Sequence, residues 1–232
     1  MFFRNKDRRQ EADTGYYKVN ADCQIPHLDW LYEKYFGQIN DGFFVEVGAY
    51  DGEYVSNTCA LADMGWRGLY VEPVPEFFEK CRARHAGNAG VRVDNMAIGP
   101  CKGEVAITLA GPLSSIDRQT TEIFKGLAWA KSLVSDRRIP VSQDTLDAYL
   151  SQRGVQPGFE LLVVDVEGYE AEVMSGFDLS VWQPVMIIIE LHDQNMEYRE
   201  TMEKNERLAV SLDRAGYVAA YKDFTNTVYV RK

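Results

Sequence analysis

Short apolar runs rich in β-branched and aromatic residues recur along the chain, separated by stretches in which apolar residues return every three or four positions. Phe43, Phe44, Val45 and Val47 open the series with Glu46 as its single acid, a pattern that suits a strand buried on both faces. Further strands are expected over 67–72 (RGLYVE), 91–99 (VRVDNMAIG with its terminal loop), 103–109 (GEVAITL), 159–165 (FELLVVD) and 184–192 (PVMIIIELH). The closing stretch, 216–232, reads as two short strands joined near residues 223–226. Between them, Leu28, Leu31, Tyr32, Tyr35 and Phe36 form the stripe of a helix that Gly37 ends. Other helices are expected from a cap at Ser56 or Asn57 to Met64, from Pro75 to Arg84 burying Phe77, Phe78 and Cys81, and over 145–153 and 199–215. His27 is expected as a surface or capping residue at the start of its helix, and His85 on the surface at the end of its own. Strand and helix alternate throughout, which predicts an α/β domain.

The first strand runs into a turn, Gly48-Ala49-Tyr50-Asp51-Gly52, whose glycines allow backbone to approach a ligand closely. A dinucleotide fingerprint needs a third glycine that is missing here, which disfavours a nicotinamide-linked oxidoreductase. Glu46 and Asp51 put negative charge where a pyrophosphate would sit, so a cationic ligand suits the turn better, and S-adenosylmethionine is such a ligand. Glu72, at the end of the second strand, stands where nucleoside-binding α/β folds place a carboxylate for the ribose hydroxyls.

Net charge is -10 with a sequence pI near 4.9, so general attraction to nucleic acid or an anionic membrane is not expected. The 232 residues, 46% hydrophobic, fit one domain. Residues 1–26 are read as an N-terminal arm and 27–232 as the domain. The opening MFFRNKDRRQEADTG has no long apolar run, so neither a secretory signal nor a membrane span is expected, and a cytoplasmic location is. Cys23, Cys59, Cys81 and Cys101 show no metal-ligand spacing and read as free thiols.

VEVGAYDGEYVSNT at 45–58, GLYVEPVPEFF at 68–78, NMAIG at 95–99, DTLDAYL at 144–150, LLVVDVEGYEAEVMSGF at 161–177 and IIIELH at 187–192 together resemble the FkbM-like S-adenosylmethionine-dependent methyltransferases, from about Gly42 onward. The resemblance implies a class I methyltransferase Rossmann-like fold: a seven-stranded, mostly parallel sheet with one antiparallel strand and helices on both faces. It also implies O-methylation, here of a hydroxyl on a sugar or other small metabolite, with residues 110–139 as an insertion covering the acceptor. Within that insertion a loop and a helix interrupted at Gly126 are expected, and Ser114 and Ser115 match a small polar stretch of the family. The donor would be held by Glu46, Gly48, Ala49, Asp51, Asn57, Glu72, Pro73, Asn95, Met96, Ala97 and Asp165, with Asn95, Met96 and Ala97 bordering the adenine.

Asp165, Glu167, Glu190 and His192 fall at or just past the ends of two strands that the resemblance makes neighbours, which forms a candidate chemical centre. Two mechanisms are open. His192 or Asp165 takes the proton of an acceptor hydroxyl, or Asp165, Glu190 and His192 hold a divalent metal ion, a transition metal by its histidine, that lowers the acceptor's pKa. Glu170 reads as support for the following helix. A protein that binds a nucleoside or a partner on the same fold without catalysis is the rival reading.

Overall fold

The computed structural model describes residues 15–192, 195–198 and 201–232. Ten strands are present among them: β1 (Phe43–Val47), β2 (Arg67–Val71), β3 (Val91–Asp94), β4 (Ala97–Ile98), β5 (Gly103–Thr108), β6 (Arg138–Asp144), β7 (Leu161–Val164), β8 (Met186–Glu190), β9 (Tyr217–Lys222) and β10 (Asn226–Arg231). The helices are α1 (Leu28–Phe36), α2 (Cys59–Asp63), α3 (Pro75–Arg84), α4 (Arg118–Gly126), α5 (Leu146–Gln152), α6 (Glu170–Ser175), α7 (Leu179–Trp182) and α8 (Met202–Arg214). No helix among the described residues is long and apolar enough to cross a membrane.

Seven strands form the main sheet in the order β3-β2-β1-β7-β8-β10-β9. All neighbours run parallel except β10, which is antiparallel to both β8 and β9. This is the architecture that the resemblance implies. The order turns back between β1 and β7, and Val47 pairs with both Val71 and Val164, so the carboxyl ends of the central strands finish level. A cleft outside those ends is where open α/β sheets bind ligands.

Alternation along each strand sorts the core into two layers. Val45, Val47, Leu69, Val71, Leu162, Val164, Ile187 and Ile189 pack on one face with Leu146, Tyr149, Leu150, Leu208 and Leu212. Phe44, Tyr70, Leu161, Val163, Met186 and Ile188 pack on the other with Leu28, Leu31, Tyr32 and Leu61. Glu46 falls on this second face and is buried there.

The structure departs from the sequence reading in several places. Of the expected arm, Tyr17 and Ile25 are buried: the Tyr17 ring meets Tyr32, Phe36 and Trp66 edge-on, and its hydroxyl donates to the Gly37 carbonyl. Residues 1–14 lie outside the described residues, as does the expected helix start at Arg199. His85 is buried, not exposed, because its Nε2 is 2.9 Å from the Gly52 carbonyl and its ring stacks on Tyr70. Phe78 is only half-buried. Within the expected insertion α4 ends at Gly126, and β6 begins at Arg138.

That last strand makes a second sheet, β4-β6-β5, which the sequence reading did not contain. Pro140 disguises it, since proline cannot donate to a ladder. At Pro140 the strand pairs only with β5, because β4 reaches no further than Gln143 and Asp144.

Candidate active site

Gly48 is the fixed point of the cleft. Its φ is 90°, and a Cβ there would stand 1.6 Å from the Asp165 carbonyl oxygen, so only glycine lets the end of β1 approach the end of β7. The N–H groups of Gly48 and Ala49 donate to the Val71 carbonyl at 2.9 and 3.2 Å, and that of Asp165 donates to Val47 at 3.0 Å. Three strand ends are thereby tied together.

Glu72 leaves β2 directly into this knot. Its two carboxylate oxygens accept from the N–H of Tyr50 (2.9 Å) and of Val74 (2.7 Å). Burial outweighs those bonds and pushes its pKa up to about 8. Asn95 Nδ2 donates to the carbonyls of Glu72 and Pro73 (2.9 and 3.0 Å), which fixes the loop from behind. Glu46 lies deeper, accepting from the hydroxyls of Ser56 and Thr58, and burial raises it to about 7.

Two adjoining lobes open from these residues. One encloses about 520 Å³ of empty space, mouth included, and is bordered by Gly48, Glu72, Pro73, Met96, Ala97 and Asp165, with Tyr50, Phe77, Ile98 and Tyr169 as its apolar and aromatic walls. The other, about 460 Å³, is bordered by Glu46, Ala49, Ser56 and Asn57, and shares Gly48, Tyr50, Pro112, Asp165 and Glu167 with the first. Most of the sequence-predicted donor residues therefore meet at one cleft.

Asp51 and Asn95 border neither lobe. Asp51 instead closes the turn: its Oδ1 accepts from the N–H of Glu53 (3.0 Å) and Tyr54 (2.8 Å). Sequence reasoning missed Tyr50 and Phe77, whose rings lie 4.4 Å apart at the cleft wall. Tyr50 between two turn glycines was the available signal, whereas Phe77 looks like any core residue of an amphipathic helix.

The acids converge at the ends of β7 and β8. Asp165, Glu167 and Glu190 each offer one carboxylate oxygen, and the three atoms lie within 4.8 Å of one another. Burial, reinforced by the neighbouring carboxylates, raises Asp165 and Glu167 well above the usual carboxylate range. Glu170 is separate: its Oε1 accepts from the N–H of Val166 (3.1 Å) and Gly168 (3.0 Å), supporting the loop.

His192, which the sequence reading set beside Asp165 and Glu190, stands next to the oxygen group and not within it. Its Nε2 is 3.2 Å from Glu190 Oε1, and its ring stacks flat on Tyr198 with centroids 3.9 Å apart. Burial lowers the imidazole's pKa, but the Glu190 carboxylate outweighs it and the net shift is upward. Glu167 is the third member of the oxygen group, and its carbonyl accepts from the Ser115 hydroxyl at 2.7 Å.

The far wall is supplied by the inserted segment, through Gly111, Pro112, Ser114 and Ile116. Lys204 on α8 holds that segment down. Its Nζ contacts Asp117 (2.9 Å), Glu172 (2.8 Å) and the Gly168 carbonyl (2.7 Å).

A family model described as the methyltransferase FkbM domain matches residues 46–219. No curated protein sequence matches the chain. Among solved structures, the O-methyltransferase from Bacillus cereus in complex with SAH superposes with a TM-score of 0.52 at 15% identity, covering 92% of this chain and 84% of that one. A candidate O-methyltransferase from Klebsiella pneumoniae gives 0.50 at 12% identity, with coverage of 92% and 84%. TomG from Streptomyces achromogenes, an O-methyltransferase in complex with SAM, gives 0.48 at 16% identity, with coverage of 88% and 78%. At such identities the first two show a shared fold. With the match over residues 46–219 and the sheet order described above, the chain belongs to the FkbM methyltransferase-domain family of S-adenosylmethionine-dependent methyltransferases.

Proposed function

We propose that this protein transfers a methyl group from S-adenosylmethionine to a hydroxyl oxygen of a sugar or other small hydroxylated metabolite. The observation that carries the reading is Glu72: a buried carboxylate fixed by two backbone N–H groups at the rim of the cleft that Gly48 keeps open. Each of its oxygens retains a lone pair for a ribose hydroxyl. Met96 and Ala97, with the Tyr50 and Phe77 rings, offer the apolar surface an adenine needs. Glu46 borders the second lobe, where its carboxylate, once ionised, would favour a ligand's ammonium group.

When bound, S-adenosylmethionine supplies a methyl group bonded to a positively charged sulfur. The acceptor oxygen forms a bond to that carbon as the sulfur–carbon bond breaks, and the electron pair returns to sulfur. The hydroxyl proton goes to Asp165, whose carboxylate borders both lobes of the cleft. His192 acts through Glu190, which it orients. The insertion, forming the far wall, excludes water and shapes the acceptor's place. Four free thiols and the acidic surface charge support a cytoplasmic setting and argue against nucleic acid or membrane as the acceptor.

Calorimetry with S-adenosylmethionine on the intact protein and on Glu72→Ala tests the donor site. Binding weakened at least tenfold in the variant is the expected result, and absence of binding by the unmodified protein would refute the reading. Hydroxylated acceptors are then screened for methyl transfer, where Asp165→Asn should lose at least about a hundredfold in kcat.

A further inference from the structure

We infer that Asp165, Glu167 and Glu190 form a site for one divalent cation of the oxygen-seeking kind, Mg²⁺ or Mn²⁺, at the carboxyl ends of β7 and β8. The geometry is the first ground. Ions of this class bond oxygen at about 2.0–2.6 Å, so oxygens on opposite sides of one are about 4–5 Å apart. The three carboxylate oxygens already lie within 4.8 Å of one another. Little movement is needed to close them on an ion.

The second ground is an oxygen with nothing to bind. Glu190 is 9% exposed; its Oε1 is engaged by His192, while its Oε2 is buried without a hydrogen-bond partner. A buried acceptor without a donor or a cation is costly, and more so when it is charged. Charge balance is the third. Among the described residues the only ion pair made by the three acids is His192 with Glu190, while Lys204 is committed to Asp117 and Glu172.

The chemistry of the set selects the ion. Three carboxylates and no nitrogen or sulfur ligand suit a hard cation, in place of the transition metal that a histidine ligand would favour. His192 then acts one layer out: by holding Glu190 Oε1 it orients the other oxygen, as partners behind metal ligands do. Asp165 and Glu167 also border both lobes of the cleft, so the ion's remaining positions face the acceptor. This deepens the methyltransferase reading and rests on it for the substrate class: an acceptor with two adjacent oxygens, such as a vicinal diol or a hydroxy acid, would bind both to the ion. The ion would favour ionisation of the hydroxyl to be methylated.

The test titrates Mn²⁺ into the chelator-treated full-length protein and follows free Mn²⁺ by electron paramagnetic resonance, with S-adenosylmethionine calorimetry on the same samples. One Mn²⁺ per chain, displaced by Mg²⁺ and held at least tenfold more weakly by both Glu167→Gln and Glu190→Gln, is the expected result. If Glu190→Gln does not melt cooperatively, Glu167→Gln, at the partly open edge of the group, decides. No Mn²⁺ binding by the unmodified protein, or binding that neither folded variant weakens, overturns the cation site. The calorimetry separates the two readings, since donor binding without Mn²⁺ binding overturns the cation site alone and loss of both overturns each.

Discussion

Two acids beside one turn illustrate how far residue identity carries. Asp51 and Glu72 look equally suited to a donor from the sequence, yet Glu72 faces the cleft and Asp51 accepts from the backbone of its own turn. Local backbone direction decides this, and a pattern of residue types does not contain it. Asp51→Ala should therefore cost about 1 kcal/mol of stability, as a lost cap does, and change S-adenosylmethionine affinity less than threefold by calorimetry. An effect as large as that of Glu72→Ala would place Asp51 back at the ligand. Gly48, by contrast, is legible, because a turn glycine after a buried strand signals close approach. Gly48→Ala puts a Cβ against the Asp165 carbonyl, which no side-chain rotation relieves. A loss of at least about 2 kcal/mol in urea unfolding is expected, together with loss of donor binding.

Elements were legible where period and punctuation agree. α3 spans Pro75–Arg84 as read, with proline in its first turn; β7 is a continuous apolar run, and β1 and β8 are apolar apart from one glutamate each. Reading failed where tertiary partners supply the reason. β6 exists because β5 pairs with it along its full length, and His85 is buried because Gly52 leaves room for its ring. The seating of α4 is of the same kind, since Lys204, far along the chain, joins Asp117 at the start of that helix to the Gly168 loop. Lys204→Ala should lower stability by about 1–3 kcal/mol, an amount reduced from a fully buried pair because the side chain is partly exposed. It should also speed limited proteolysis within residues 110–135, and an unchanged cleavage rate would show that the insertion is held by other contacts.

For the molecule as a whole, the buried acids set a pH dependence opposite to that of a protein stabilised by paired carboxylates. Burial raises Glu46 and Glu170 to about 7 and Glu72 to about 8, against an ordinary 4.5. Between about pH 4.5 and 8 the folded chain therefore holds more protons than the unfolded chain, and stability falls as pH rises through that window. Below it, the pairing that lowers Asp94, set by Arg92 and Arg153 against burial, is lost instead. Melting curves should show Tm dropping by about 5 °C or more from pH 5 to 8.5. A flat or rising profile would mean that these acids are not closed off from water.

The small second sheet carries one more consequence. Gly103 at the start of β5 pairs directly with Gln143 near the end of β6, so the chain leaves the domain and returns to it at almost the same point. Everything between, including the Ile107, Pro112 and Ile116 wall, is a module with adjoining ends, the arrangement that tolerates insertion and exchange. Exchange of this module would rebuild one wall of the cleft in a single step and leave the Gly48 turn and Glu72 on the other side unchanged.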